Sequence, residues 1–317
     1  MGDTLIDGKP DKIMLTGSTH TGKIIMEKAS NYLIPVELEL GGKDPMIVFN
    51  DANIERAANA AVWGSLLNSG QTCVSIERIY VQEKIYDDFV NRVVKKVKKV
   101  KQGWDPNGDV DIGSISTESQ MKTIEKQLNA AVKKGAKILV GGKRKGKTMF
   151  FEPTVLINLD QKMEIMQEET FGPIICIMKF KDKDEAIRLA NDSIYGLNAS
   201  VWSSNKTKAL STARGIMTGG VAINNVCTAS ANFAAPFGGA KQSGIGRYHG
   251  PYGLHAFSNI KTINIEKDKK DKEVNWYPFR NEKYNRFLNI FKSLFSDKKL
   301  DKIKGLPAMI KLLRSEK

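Results

Sequence analysis

Residues 12–22 read KIMLTGSTHTG. Residues 12–15 predict a short strand, Thr16, Gly17 and Ser18 a turn, and residues 19–32 a helix that starts at once. The alternation continues outward. Strands are expected at 35–40, 45–49, 79–81, 137–140, 174–180 and 221–224. Helices are expected at 51–67 with Asp51 as N-cap, at 84–101, at 118–134 ended by Gly135, and at 183–192. Strand and helix in alternation predict an α/β fold with a mainly parallel sheet. After Gly220 the texture changes. Residues 225–250 are rich in Gly, Ala, Asn and Ser and predict a long ordered loop, a place where function resides. Residues 262–265 predict an edge strand, and 267–273 a charged linker before a basic tail.

Composition excludes several classes. An apolar fraction of 41% and a charged fraction of 26% over 317 residues leave enough apolar surface for a sizeable core. Three cysteines exclude a disulfide scaffold and suggest a reducing compartment, hence a cytoplasmic chain. No leader-like or membrane-spanning apolar run is visible. The net charge is +14, and residues 266–317, with 15 Lys/Arg against 8 Asp/Glu, hold half of the excess. No nucleic-acid-binding pattern accompanies that charge, so no nucleic-acid partner is expected.

Three stretches hold residues suited to chemistry. At Gly17 and Ser18 a strand runs into a helix start, where free N–H groups and the helix dipole favour an anion; an ordinary capped helix reads the same way. In VELELGGK (36–43), Glu37 and Glu39 share one face of a strand. They form a solvated edge or aim a general base into a cleft, and the spacing alone favours the edge. In NSGQTC (68–73), Cys73 follows Gly and small polar residues. Cys176 lies in the apolar run 171–180 and reads as a core thiol, and Cys227 as a residue bordering a pocket. His20, His249 and His255 show no supporting pattern, and no metal-ligand spacing occurs, so no metal is expected.

The order of these stretches resembles the aldehyde dehydrogenase superfamily. The resemblance continues in EETFGP (168–173), NDSIYGL (191–197), VAINN (221–225) and PFGGAKQSGIGR (236–247), and it runs from about residue 12 to 265. It implies a three-layer catalytic domain with a parallel sheet plus a remnant of a Rossmann-type cofactor domain. The expected divisions are 1–40 for the remnant, 41–256 for the catalytic thiol domain, 257–266 for an oligomerisation strand and 267–317 for the tail.

By the same resemblance, Cys73 is the nucleophile that attacks an aldehyde carbon, its own N–H is one oxyanion donor, and a thioester forms after hydride transfer to NAD or NADP. Glu39 activates the water that releases the acid. Gly17, Ser18 and Gly41 border the cofactor, Glu169 holds the nicotinamide ribose and Phe171 lies near the ring. Phe237 and Cys227 border the substrate. A homo-oligomer is expected. Typical members carry a long region before the turn at Gly17, with most of the dinucleotide-binding sheet, a ribose-binding lysine and a second oxyanion donor. Without such a donor the rate falls on the order of a hundred- to a thousandfold. A truncated chain that binds NAD weakly and has little activity is therefore expected. The competing readings are a non-catalytic partner of an intact sister chain and a cofactor-independent esterase-like remnant.

In the tail, Phe287, Ile290, Phe291, Leu294 and Phe295 fall on one helical face. Lys283, Arg286, Lys292, Lys298 and Lys299 surround it. This pattern fits a helix packed on the protein, or one lying on anionic lipid and serving a long-chain aldehyde.

Overall fold

Strands that are apolar at nearly every position, such as residues 174–180, need cover on both faces. The computed structural model describes residues 2–266, 271, 273, 275–297 and 307, and it provides that cover. Two compact units are present, Met1–Asn259 and Ile260–Lys317. The first opens with α1 (Gly2–Asp7), β1 (Ile13–Thr16), α2 (Thr19–Ser30) and β2 (Val36–Glu39). Then come β3 (Asp44–Val48), α3 (Ile54–Leu66), β4 (Ile76–Gln82), α4 (Tyr86–Val97), α5 (Glu118–Lys133), β5 (Lys137–Val140) and β6 (Thr154–Ile157). They are followed by α6 (Glu164–Gln167), β7 (Ile174–Phe180), α7 (Lys183–Asn191), β8 (Tyr195–Gly196), β9 (Asn198–Trp202) and α8 (Lys206–Gly215). The unit ends with β10 (Gly220–Ile223), α9 (Thr228–Ala231), β11 (Ala240–Lys241), β12 (Gly244–Ile245) and α10 (Gly250–Ala256).

The main sheet runs β10-β9-β3-β4-β7-β6-β5 and is parallel except where β5 meets β6. Along β3 successive side chains alternate between two cores. Met46 and Val48 join Ala57, Ala61, Phe89 and Val93 of α3 and α4. Ile47 and Phe49 join Met121, Ile124, Leu189 and Ala209 of α5, α7 and α8. Helices thus cover both faces, giving the three layers expected from the sequence. A smaller sheet, β1-β2-β12, stands beside it.

Several sequence expectations need correction. Asn53, not Asp51, caps α3, taking the Arg56 N–H at 3.1 Å. Asp51 is occupied elsewhere: it accepts from Ser203 and pairs with Lys208 at 2.8 Å. The segment 225–250 is no plain loop, because β12 pairs antiparallel with β2, Gly244 opposite Glu39. A Cβ at Gly244 would stand 2.1 Å from the Leu38 carbonyl, so only glycine allows this close approach. Residues 261–266 carry no strand, correcting the edge strand expected at 262–265. A ladder needs a partner edge, and no described strand pairs with this segment. Ile263 and Ile265 are exposed.

In the second unit α11 spans Asn281–Phe295. Ile290 is buried, whereas Phe291, Leu294 and Phe295 are exposed. Lys298, Lys299 and most of the linker 267–273 lie outside the described residues. Among the described residues no helix is long and apolar enough to cross a membrane.

Candidate active site

β2 ends at Glu39, and its neighbours decide what that carboxylate can do. Glu37 and Glu39 are each 4% exposed, which overturns the solvated edge that spacing favoured. The cover comes from the 238–247 segment brought in by β12. Gly246 leaves room for Glu37, which pairs with Lys12 at 2.8 Å. Gly238 leaves room for Glu39, whose Oε1 would lie 3.0 Å from a Cβ there. Burial pushes the Glu39 carboxyl up to about 7; Arg247 opposes the shift and Glu37 adds to it. Arg247 is itself fixed by the Gly239 and Gly246 carbonyls at 2.7 and 2.6 Å. A carboxyl poised near neutrality can both take and return a proton.

Cys73 sits after a tight turn at the end of α3. Asn68 and Ser69 take left-handed backbone angles, φ 52° and 59°, and Gly70 follows at φ 75°. Non-glycine residues rarely hold that conformation without help. Here the help is explicit. Asn68 Nδ2 donates to the Gln71 carbonyl, Gln71 accepts the Ser116 N–H, and Ser69 donates to the Gly113 carbonyl. A Cβ on Gly70 would strike the Gly172 carbonyl at 2.1 Å, so the turn lies directly on the 168–173 segment. The Cys73 thiol is half-buried and pushed up to about 11, first by burial and then by the Asp44, Glu169 and Glu39 carboxylates. Three acidic groups therefore act on one sulfur.

Glu169 reaches the Gly-Gly step after β2. Its Oε1 accepts the Gly42 N–H at 3.0 Å, and the carboxylate fills the space that a Cβ on Gly41 would take. Burial and the nearby Glu77 push it up to about 7. Behind it lies a network that motif reading missed. The backbone groups from the Glu169 carbonyl to the Phe171 N–H are held by side chains: Gln127 Nε2 at 3.1 Å, Glu77 Oε2 at 2.7 Å, Gln120 Nε2 at 2.7 Å and Glu77 Oε1 at 2.9 Å. Lys43, fully buried, pairs with Glu77 and donates to Thr170 Oγ1 at 3.0 Å. Phe171 is thereby held at φ 49°. Asp44, buried with its Oδ1 on the Asn198 N–H, was also missed.

Phe237, Val74 and Leu197 form a small apolar cluster against which Cys73, Cys227 and Tyr248 pack. The sequence-predicted Cys73, Cys227 and Phe237 thus come together. A separate cleft of about 540 Å³ is lined by Asn53, Glu55, Arg56, Asn59, Trp63 and Val226, none of them in the Cys73 cluster. Gly17 and Ser18 follow β1 at the same end of β2 as Glu39. The Gly17 N–H donates to the Glu39 carbonyl at 3.0 Å, and the exposed Ser18 caps α2 by accepting the Thr21 N–H. Among the described residues no hydrogen bond joins either of them to the Cys73 sulfur.

A half-buried thiol under the influence of three acidic groups thus sits on a three-layer α/β unit. The aldehyde dehydrogenase family matches residues 1–263, and the chain belongs to that family. It is 41% identical over 296 residues to a 4,4'-diapolycopene aldehyde oxidase of Methylomonas sp, covering 93% of this chain and 55% of that protein. Only about 21 residues of the chain lie outside that match, so α11 falls within it. It is 42% identical over 260 residues to a probable succinate-semialdehyde dehydrogenase [NADP(+)] of Sinorhizobium fredii, covering 81% of this chain and 52% of that protein. Among solved structures, an NAD-dependent aldehyde dehydrogenase from Sinorhizobium meliloti superposes with TM-score 0.83 at 36% identity, covering 86% of this chain and 54% of that one. Betaine aldehyde dehydrogenase from Staphylococcus aureus in complex with NAD+ gives 0.77 at 41% identity, covering 81% and 52%. The chain spans about half the length of the curated relatives it matches.

Proposed function

We propose that this chain carries the thiol chemistry of aldehyde oxidation to a carboxylic acid with NAD or NADP. The observation that supports this most is the set of carboxyls around Cys73, with Glu39 near 7. Glu39 takes the proton that leaves the thiol, and the sulfur adds to the aldehyde carbon. The adduct is a thiohemiacetal at the aldehyde oxidation level; only once it has given up a hydride and a proton does an acyl-thioester stand on Cys73, and Glu39 then takes a proton from water while the hydroxide releases the acid. The residues present suit a dinucleotide: Gly17 and Ser18 at the α2 start would hold a pyrophosphate, and Glu169, seated over Gly41, would accept ribose hydroxyls beside Phe171. A nicotinamide dinucleotide supplies a two-electron hydride acceptor.

The substrate class we favour is an apolar, long-chain aldehyde. The likeness to the diapolycopene aldehyde oxidase, which extends past the region matched by the family, supports this reading. The exposed Phe291, Leu294 and Phe295, with Lys283, Arg286 and Lys292 on the same helix, suit contact with an anionic bilayer. Flotation on phosphatidylglycerol vesicles that is equal for the full chain and for F291E/F295E removes the lipid part. The exposed, alternating Ile263 and Ile265 suit strand pairing with a second copy.

An activated ester tests the core of the reading, because acylation and hydrolysis then need no cofactor. The 317-residue chain should hydrolyse p-nitrophenyl esters, C73A should not, and E39Q should accumulate an acyl adduct on Cys73 seen by intact mass. Equal hydrolysis by C73A ends the proposal.

A further inference from the structure

Cys73 has a second thiol beside it. Cys227 packs against the same Val74, Leu197 and Phe237 cluster as Cys73. Its Sγ lies 3.4 Å from the carbonyl oxygen of Val74, the residue next to Cys73. The backbone turns back at this point: Asn224 and Cys227 both hold left-handed angles, φ 56° each. Both sulfurs are half-buried, whereas Cys176 is 1% exposed within the main core. Burial pushes the Cys227 thiol up, and Asp44 and then Cys73 add to the shift. Two reachable thiols on one small cluster, separated by 154 positions in the chain, are a pairing that the acyl chemistry does not use.

We infer that Cys227 is the resolving thiol of Cys73, so that peroxide converts the pair into a disulfide that closes the centre reversibly. The inference rests on reading Cys73 as the reactive thiol. The chemistry balances in two steps. The Cys73 sulfur attacks one peroxide oxygen; the S–O bond forms, the O–O bond breaks, and hydroxide leaves and takes up a proton as water. The Cys227 sulfur then attacks the sulfenic sulfur of Cys73; the S–S bond forms, the S–O bond breaks, and a second water leaves with the Cys227 proton. Two thiols are oxidised and one hydrogen peroxide is reduced to two waters. The same deprotonation that arms Cys73 toward a carbonyl arms it toward peroxide. Without a partner, a sulfenic acid in a wet site goes on to sulfinic and sulfonic acids, which thiols do not reverse. A thiol parked beside the nucleophile stops that ladder at its first rung.

The test uses the purified full chain and hydrogen peroxide. Intact mass should fall by about 2 Da, and a peptide link between Cys73 and Cys227 should appear. Dithiothreitol should return the mass and the ester-acylation capacity measured before oxidation. C227S and C227A should instead gain about 32 or 48 Da at Cys73 and recover no acylation with dithiothreitol. A wild-type chain that gains oxygen at Cys73 while Cys227 remains alkylatable overturns the inference, as does a link through Cys176 or a mass unchanged by peroxide. Ester acylation at Cys73 before oxidation reports separately on the underlying reading, so the two can fail independently.

Discussion

The Glu77 carboxylate accepts the backbone N–H of Thr170 at 2.7 Å from across the sheet. Its other oxygen takes the Phe171 N–H, and Lys43 neutralises it from below. One side chain thus joins the Gly-Gly step that seats Glu169 to the turn that carries it. In E77A, Lys43 is left as an uncompensated buried charge, and the expected cost is about 3–5 kcal/mol by urea unfolding. The double variant K43M/E77L should recover most of that stability. Hydrogen exchange at the Thr170 and Phe171 amides should stay fast in it, because the acceptor is gone.

Glu39 and Glu169 stand near 7 in the fold against 4.5 for a free glutamate. Between those values the folded chain binds more protons than the unfolded one, so both groups lower stability as pH rises from 4.5 to 7. The fall in Tm between pH 5 and 7.5 should be shallower in E39Q and in E169Q than in the wild type. A steeper fall in either variant contradicts the assignment.

Arg247 holds the Glu39 carboxyl lower than burial alone would set it. R247M should therefore move the midpoint for hydrolysis of the acyl-Cys73 adduct upward in pH. An unchanged midpoint would mean that another group is the base.

The thiol at position 73 is pushed up to about 11, so its thiolate fraction rises about tenfold per pH unit below that point. Iodoacetamide labelling of Cys73 should keep climbing through pH 9. A plateau near pH 7 would reveal a thiolate stabilised by a neighbour.

A Cβ on Gly42 would stand 2.3 Å from the Cys73 carbonyl oxygen. G42A must displace that backbone, and a shift of about 1 Å at a nucleophile costs on the order of a hundredfold in rate. Ester acylation of G42A, followed by stopped flow, measures the loss.

Cys73, Glu39 and Glu169 were legible only through the resemblance of their motifs to the aldehyde dehydrogenase superfamily; read alone, Cys73 is a lone thiol after a polar turn. Their surroundings were not legible. Glu37 and Glu39 read as a wet edge because the segment that covers them, 238–247, lies some two hundred residues away. β9 went unseen because Asn198 and Ser200 break its apolar pattern; the Asn198 N–H is used to hold Asp44. Glu77 and Lys43 look like ordinary surface charges in a string of letters, and only the fold places them opposite each other. The edge strand at 262–265 failed for the complementary reason: an alternating pattern cannot supply the neighbour that a ladder requires.

The pairing of Gly244 with Glu39 also sets the order of events on the ribosome. The floor of the site is synthesised early, but the β12 segment that covers it emerges only as the first unit nears its end. Until then Glu39 stays hydrated with an ordinary acidity, because burial is what raises it. The buried state of Glu39 therefore waits on the completion of its scaffold.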